Sequence, residues 1–325
     1  MEKYVFDIEC FPNFWCSTFL NIDTKEKVVF AIYKTRDDSK RLFEFLDRDI
    51  LLYGFNNIVY DSPVMRFILD NHQSSTALQD TFELSHSIIS DNSPYGHRIR
   101  KSDKVYQYRQ VDLLKIMAFD KLGVGLKQIA INLRWHRIQD LPLPYNHDVE
   151  PDEVSLVLDY NENDVLITFE LYKAILPLIE LREKLSILYE VDLTSASDSK
   201  MSNLILEDFY KKQGGDIDAI RSLRTVRHQF MLSECFGKNI EFRTNKLSRV
   251  KNEIANTIVR EKNEFKYTKK IEFGNVRYDL GIGGLHSVDT DGIFETDDKY
   301  IIRDADVSSY YPNIMIVNEI VPQHL

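Results

Sequence analysis

The order of strand-like and helix-like segments over the first 180 residues most constrains the fold of this chain. Three short runs rich in aromatic and β-branched residues, 4–9, 14–22 and 27–33, are separated by turn residues and predict an antiparallel meander. Further strand-like runs at 50–55 and 105–111 alternate with helical patterns. This order predicts an α/β domain with a mixed central sheet and flanking helices.

The most regular helical pattern begins at Pro151. Strand-like runs with glycine turns begin after Ile271, and helical spacing fills much of the chain between. We therefore expect an α/β domain over 1–185, a helical connecting segment over 186–275 and a third unit over 276–325. In the helical pattern that begins at Pro151, apolar side chains recur on one face: Val154, Val157, Leu158, Val165, Phe169 and Tyr172.

The composition excludes several protein classes. The 325 residues contain no apolar run of membrane-spanning length and no secretory signal, so we expect a cytoplasmic protein without a membrane partner. Cys10, Cys16 and Cys235 are too few and too scattered for a disulfide framework. No C-x-x-C or H-x-x-x-H spacing offers a zinc site. We interpret the thiols as reduced and structural.

Charge is unevenly distributed along the chain. The net charge is -10, yet residues 210–270 hold fifteen Lys and Arg against seven Asp and Glu, which leaves 26 against 44 elsewhere. A basic segment can bind phosphates, and it can equally be solvated surface. Both interpretations stay open for six cations of this segment: Arg221, Arg224, Arg227, Lys246, Arg249 and Lys251.

Two pairs of chemically suggestive residues lie on predicted elements. Asp7 and Glu9 are two apart on the first strand, so their carboxylates share one face. Tyr160 and Asp164 are four apart on the helix that begins near Pro151, and they face the same way. Like charges this close repel unless a cation lies between them. An exposed strand end and an ordinary helix surface are the alternatives.

A further acid follows the strand-like run at 50–55. Asp61 closes the pattern Asn56-x-x-x-Tyr60-Asp61 and precedes Pro63 at the start of a helix. As an isolated residue, Asp61 is equally well explained as a helix N-cap. Together with the two pairs above, it completes an ordered set of four acids and one tyrosine.

These residues carry a resemblance to a known family. Phe6-Asp-Ile-Glu9, Gly54-Phe-Asn-x-x-x-Tyr-Asp-x-Pro63 and Tyr160-x-x-x-Asp164 resemble the three exonuclease motifs of family B DNA polymerases, the proofreading members of the DEDDy 3′→5′ exonuclease superfamily. The amino-acid sequences of several segments are most similar to those of bacteriophage members of the family. The resemblance covers residues 1 to about 180 and implies a ribonuclease-H-like fold, a two-metal mechanism and a DNA substrate.

The resemblance also implies roles for individual residues. Asp7, Glu9, Asp61 and Asp164 would hold two Mg²⁺ or Mn²⁺ ions, and Tyr160 would orient the attacking water. Asn56 and Tyr60 would line the site for the primer 3′ terminus. Cys10 stands where many members have threonine, which affects contacts to the terminal nucleotide rather than the ligands.

A second motif lies near the other end of the chain. Asp306-x-x-Ser309-x-Tyr311-Pro312 resembles motif A of the family B polymerase palm. The resemblance implies that Asp306 binds metal and that Ser309 and Tyr311 contact the incoming nucleotide. The remaining palm motifs are not in this sequence, so we do not expect polymerisation from this chain alone. A β-turn with proline is the alternative.

Glycines precede this motif at the place where family members join exonuclease to palm. Gly283 and Gly284 lie in Gly281-Ile-Gly-Gly-Leu-His-Ser287, which in the family meets template DNA. The same glycines fit a tight turn, and the spacing does not match a dinucleotide-binding fingerprint.

Three functional hypotheses follow. The first is a 3′→5′ exonuclease portion of a family B DNA-directed DNA polymerase with an incomplete palm. The second is a non-catalytic half of a two-chain polymerase that binds DNA and docks on a separate palm subunit. The third, an RNA-trimming exonuclease of the same superfamily, accounts for the first 180 residues but not for the motif at Asp306.

Overall fold

The structure is a computed structural model, and it divides into two compact units, Met1–Gly215 and Asp216–Leu325. We describe each unit by itself. The residues that the structure describes are 1–90, 109–117, 123–223, 228–235, 241–260, 268–273, 276–281, 284–288, 292–317 and 319.

The first unit begins with strands and continues with alternating strands and helices. Its elements are β1 (Glu2–Phe11), β2 (Phe14–Asn21), β3 (Lys27–Tyr33), β4 (Arg36–Asp37), α1 (Ser39–Leu46), β5 (Ile50–Gly54), α2 (Asp61–Asn71), α3 (Ala77–Ser90), β6 (Arg109–Asp112), α4 (Leu113–Ile116), α5 (Leu126–Asn132), α6 (Val154–Ala174), α7 (Leu176–Tyr189) and α8 (Asp198–Lys212).

Six of the described strands form one sheet in the order β4-β3-β2-β1-β5-β6. Strands β1 to β4 pair antiparallel, as the meander prediction requires, whereas β5 pairs parallel with β1 and β6 with β5. The mixed α/β architecture with flanking helices is therefore confirmed. It is compatible with the ribonuclease-H-like fold that the resemblance implies.

Apolar clusters cover both faces of the sheet. Side chains alternate along β1, so Phe6 and Ile8 enter a cluster that also contains α1, α2 and α3 residues. Val5 lies on the opposite face, in a cluster formed with α5, α6 and α7. Helix α6 is thus placed on the face of β1 that carries Asp7 and Glu9.

The first compact unit continues past residue 185, the predicted end of the α/β domain, and the domain assignment itself stays a prediction. Helix α7 runs through that position, and Arg182 within it is fully buried. The Arg182 guanidinium donates to the carbonyl of Ala196 at 2.6 Å and to Asp198 Oδ1 at 2.7 Å. A buried charge is costly unless it is paired and hydrogen-bonded, so the Arg182 guanidinium depends on such partners. The bonds hold the start of α8 against α7, within the same compact unit.

The second unit is less regular. Strands β9, β10 and β11 form an antiparallel sheet in the order β11-β10-β9, and β7 pairs antiparallel with β8. The elements are α9 (Ile217–Ser222), β7 (Phe230–Met231), a 3-10 helix (Leu232–Cys235), α10 (Asn245–Ala255), β8 (Ile258–Val259), β9 (Thr268–Phe273), β10 (Val276–Gly281), β11 (Gly284–Val288) and α11 (Tyr310–Val317).

The elements predicted for this part of the chain agree only in part with the observed ones. Helix α10 lies in the segment where helical spacing was predicted, and the short strand β8 follows it. The sheet of β9 to β11 crosses residue 275, the predicted boundary, and the assignment of 276–325 as a palm stays a prediction. No helix in the described part of the chain is long and apolar enough to cross a bilayer.

Candidate metal centre

Strand β1 carries two of the predicted ligands on the face that α6 covers. Asp7 pairs across the sheet with Thr18, and Glu9 pairs with Cys16, both on β2. Both acids are half-buried as residues, in a sheet whose neighbouring strand β2 is buried throughout. Two carboxylates at this depth are costly unless their charge is compensated.

The face of helix α6 that packs on β1 carries two polar residues, Asn161 and Asp164, between apolar ones. Val157 and Val165 are fully buried in two separate apolar clusters, two helical turns apart. Asn161 lies between them and is also fully buried, and Asp164 is half-buried one position before Val165. The helix therefore presents an amide and a carboxylate to β1 between two apolar contacts.

These side chains meet. Asp7, Glu9 and Asp164 each offer a carboxylate oxygen, and these three oxygens lie within 4.8 Å of one another. Asn161 Nδ2 donates to Asp7 Oδ2 at 3.0 Å. Three acids from a strand and a helix thus converge on one point, as the resemblance implies, and could hold a metal ion.

Asp61 approaches from a third element. It is the first residue of α2 and is 3% exposed, and the backbone N–H of Ile8 donates to its carboxylate. Asp61 does not belong to the 4.8 Å group. Its charge nevertheless raises the pKa of both Asp7 and Glu9, so the fourth predicted ligand lies within electrostatic reach of these two acids.

Burial raises the pKa of all four carboxyl groups. The pKa of Asp7 lies well above its ordinary value because of burial and the other three acids, and the Asn161 amide offsets this in part. Burial and the charges of Asp164 and Asp61 raise the pKa of Glu9. Burial raises the pKa of Asp61 to about 8 and that of Asp164 to about 6.

The donor set fits a divalent metal. Clustered acids must either stay protonated or share a cation, and oxygen ligands are those that Mg²⁺ and Mn²⁺ prefer. Asn161 Oδ1, although buried, has no hydrogen-bond partner among the described residues. The site therefore combines repelling carboxylates with an unused polar acceptor.

Tyr160 lies one helical turn before Asp164. Its hydroxyl hydrogen-bonds the Asp164 carboxylate, and burial together with that charge raises the pKa of the phenol. Tyr160 therefore stays protonated at neutral pH and can act as a hydrogen-bond donor rather than a base.

The turn between β5 and α2 is tightly specified. Asn56 adopts a left-handed conformation with φ 63°, and its N–H donates to Asp112 Oδ1 at 3.1 Å. A Cβ on Gly54 would lie 2.6 Å from the Cβ of Asn57, so this position admits no larger residue without a shift. The turn thereby fixes where α2, and Asp61 with it, begins.

Tyr60 points away from open solvent. Its hydroxyl lies 2.8 Å from Ser85 Oγ on α3, and its ring packs against the apolar cluster beneath α1, α2 and α3. Contacts of Asn56 and Tyr60 with a primer terminus stay predictions.

Sequence reasoning missed Asn161 and Asp112. Asp112 is fully buried and also accepts the N–H of Leu114, so it organises the start of α4 and the turn at Asn56 together. The strand-like run ending at Asp112 and the position of Asn161 one residue after Tyr160 were the available signals. Neither shows from spacing alone that a side chain is turned inward.

The remaining predicted site residues lie in the second unit. Lys246 and Arg249 are exposed on α10, and Asp306, Ser309 and Tyr311 are exposed at or before α11. Gly284 begins β11. Arg224, Arg227 and Gly283 lie outside the described residues. The predicted roles of these residues stay predictions.

The chain was compared with protein-family models, with curated proteins and with solved structures. No protein-family model and no curated protein matches the chain. A solved structure, Phi29 DNA polymerase complexed with single-stranded DNA, is similar at 16% sequence identity and a TM-score of 0.31. The match covers 57% of this chain and 32% of that polymerase chain.

Proposed function

We propose that the first unit is a divalent-metal-dependent 3′→5′ exonuclease that acts on DNA, of the proofreading type found in family B DNA polymerases. The observation that carries the proposal is the convergence of carboxylates from β1 and α6 within 4.8 Å, with Asp61 from α2 close by. Their order along the chain, and a tyrosine one turn before the last acid, match the motifs of that superfamily.

The residues would divide the work as follows. Asp7, Glu9, Asp61 and Asp164 would hold two Mg²⁺ or Mn²⁺ ions, which when bound supply an acidified water and charge stabilisation for phosphodiester hydrolysis. Tyr160 would orient the attacking water. Asn161 fixes the orientation of Asp7, as partners of metal ligands commonly do.

The proposal also assigns roles to residues of the second unit. Asp306, Ser309 and Tyr311 would belong to the start of a polymerase palm, with the rest of the palm in other residues or in another subunit. Lys246 and Arg249, exposed three apart on α10, would contact the DNA backbone. A bacteriophage origin and a cytoplasmic location would fit this assignment.

A second candidate function is a non-catalytic half of a two-chain polymerase. The exposed apolar residues of 293–317 favour it, because a surface of this kind is typical of an interaction site. They are Ile293, Phe294, Tyr300, Ile301, Ile302, Val307, Tyr310, Tyr311, Met315, Ile316 and Val317.

Direction and strand state of cleavage test the proposal. The purified chain with Mg²⁺ or Mn²⁺ is given a 5′-labelled oligonucleotide as a single strand, as a duplex and as a duplex with a mispaired 3′ end. We expect stepwise shortening from the 3′ end, fastest for unpaired ends, because a paired end must first be unstacked. Shortening from the 5′ end would refute the proposal, and binding without any cleavage would favour the accessory-subunit function.

A further inference from the structure

Three aromatic rings, two of them on α3, form an exposed patch. The rings of His86 and Tyr145 lie 5.5 Å apart at 7° to each other, and Phe82 lies 6.3 Å from His86 and 6.4 Å from Tyr145. All three planes are within 22° of parallel. Tyr145 is 55% exposed, His86 is also exposed and Phe82 is half-buried.

Both sides of the patch are held in place by the fold. Phe82 and His86 are one turn apart on α3, which is anchored by its buried residues Ala77, Thr81 and Ser85. The segment that carries Tyr145 is anchored after it by Val149, whose backbone N–H and C=O both bond the Asn13 side chain, at 2.8 and 3.1 Å. Leu143, before it, packs into the apolar cluster that contains Val149. The backbone segments that carry the rings are therefore both anchored to the fold.

The helix that carries two of the rings also packs near residues that adjoin the carboxylates in the sequence. Ser85, between the two aromatic residues of α3, contacts the hydroxyl of Tyr60, which directly precedes Asp61. Cys10, which directly follows Glu9, packs against the same apolar cluster as Leu78 and Ile88 of α3. Helix α3 thus joins the patch to the neighbours of two predicted metal ligands.

We propose that Phe82, His86 and Tyr145 form a stacking surface for unpaired nucleobases of a single-stranded polynucleotide on its way to the carboxylates. Aromatic faces stack on any base, so such a surface holds a strand without reading its sequence. The inference rests on the proposed nuclease function, because only a polynucleotide substrate brings several bases to this side of the site.

An anisotropy experiment separates stacking from a structural role of the rings. A 5′-fluorescein 12-mer of thymidylate and a 12-mer of abasic residues with the same backbone are titrated with the full chain in Ca²⁺. The variants are Tyr145→Ala, Tyr145→Phe and, as a matched exposed tyrosine on α7, Tyr189→Ala. We expect Tyr145→Ala to weaken binding of the thymidylate strand at least ~5-fold and to leave the abasic strand unchanged, with the other two variants near wild type.

The other outcomes contradict the inference. Equal loss for both strands, or no loss in Tyr145→Ala, removes the stacking surface, and metal-dependent cleavage by the same preparation then leaves the nuclease proposal standing. Absence of binding and of cleavage in the wild-type chain overturns both proposals together.

Discussion

The side-chain amide of Asn161 donates to Asp7 Oδ2 across 3.0 Å and joins the middle of α6 to the acid-bearing face of β1. Asn161 is fully buried between two apolar contacts of its helix. A buried amide in such a place needs a polar partner, and Asp7 is that partner. The bond therefore fixes both the rotation of α6 and the orientation of one metal ligand.

Replacing Asn161 tests this role. Asn161→Ala leaves Asp7 without its orienting donor, and we expect metal-dependent nuclease activity to fall by roughly 10- to 100-fold. The midpoint of the metal titration should rise by a comparable factor. Glu162→Gln, on the solvent side of the same helix, is the control and should keep activity near the wild-type rate. An unchanged metal midpoint in Asn161→Ala would remove the positioning role.

Stability of the metal-free protein should depend on pH. The folded-state pKa is about 8 for Asp61 and about 6 for Asp164, above the ordinary 3.8 of aspartate. Between these values the folded chain binds more protons than the unfolded chain, so the free energy of unfolding decreases as pH rises. A loss of ~2 kcal/mol would lower the Tm by about 4–8 °C.

Calorimetry in EDTA from pH 4.5 to pH 8.5 measures this slope. Asp61→Asn removes one titrating acid and should flatten the curve, and Mg²⁺ or Mn²⁺ should restore stability at the alkaline end because it binds only the folded site. A metal-free Tm that increases steadily over this range would contradict the description of the acids as buried and mutually repelling.

Tyr160 and Asp164 should behave differently when mutated. Tyr160→Phe keeps the ring and loses only the hydroxyl that bonds Asp164, so we expect about ten- to hundred-fold slower cleavage with metal binding retained. Asp164→Ala should lose both activity and the stabilisation by metal. Single-turnover cleavage together with the metal-induced rise in Tm distinguishes the two variants. Equal loss of metal binding in both would show that the hydroxyl supports a ligand rather than a water.

The turn before Asp61 should tolerate no side chain at Gly54. In Gly54→Ala the new Cβ would meet Asn57 Cβ at 2.6 Å, and we expect a destabilisation of about 1–3 kcal/mol. Gly125→Ala is the matched control, since nothing lies within 4 Å of its added Cβ and its φ is ordinary. Denaturant unfolding of the two variants gives the comparison, and equal midpoints would contradict the tight turn.

The sequence predicts the sheet well because strand periodicity and helix periodicity are local signals. The meander, the position of α6 and the shared face of Asp7 and Glu9 all follow from alternation by two or by 3.6 residues. Convergence of Asp164 on these two residues is a tertiary fact, which the ordered motif implied and spacing alone does not.

What the sequence could not reveal depends on long-range contacts. The extension of the first unit to Gly215 rests on buried Arg182, a residue that a surface interpretation of charge would place in solvent. The roles of Asn161 and Asp112 depend on which way a polar side chain turns inside a packed layer. The stack of His86 on Tyr145 joins residues 59 positions apart, and no motif connects them.

Cleavage of a 5′-labelled single strand by the wild-type chain and by Asp7→Ala, each with Mg²⁺ or Mn²⁺ and with EDTA, tests the central claim most directly. The account predicts a ladder of products shortened from the 3′ end by the wild type with metal, none with EDTA, and loss of nearly all cleavage in Asp7→Ala. Metal-dependent cleavage by Asp7→Ala at close to the wild-type rate would contradict it.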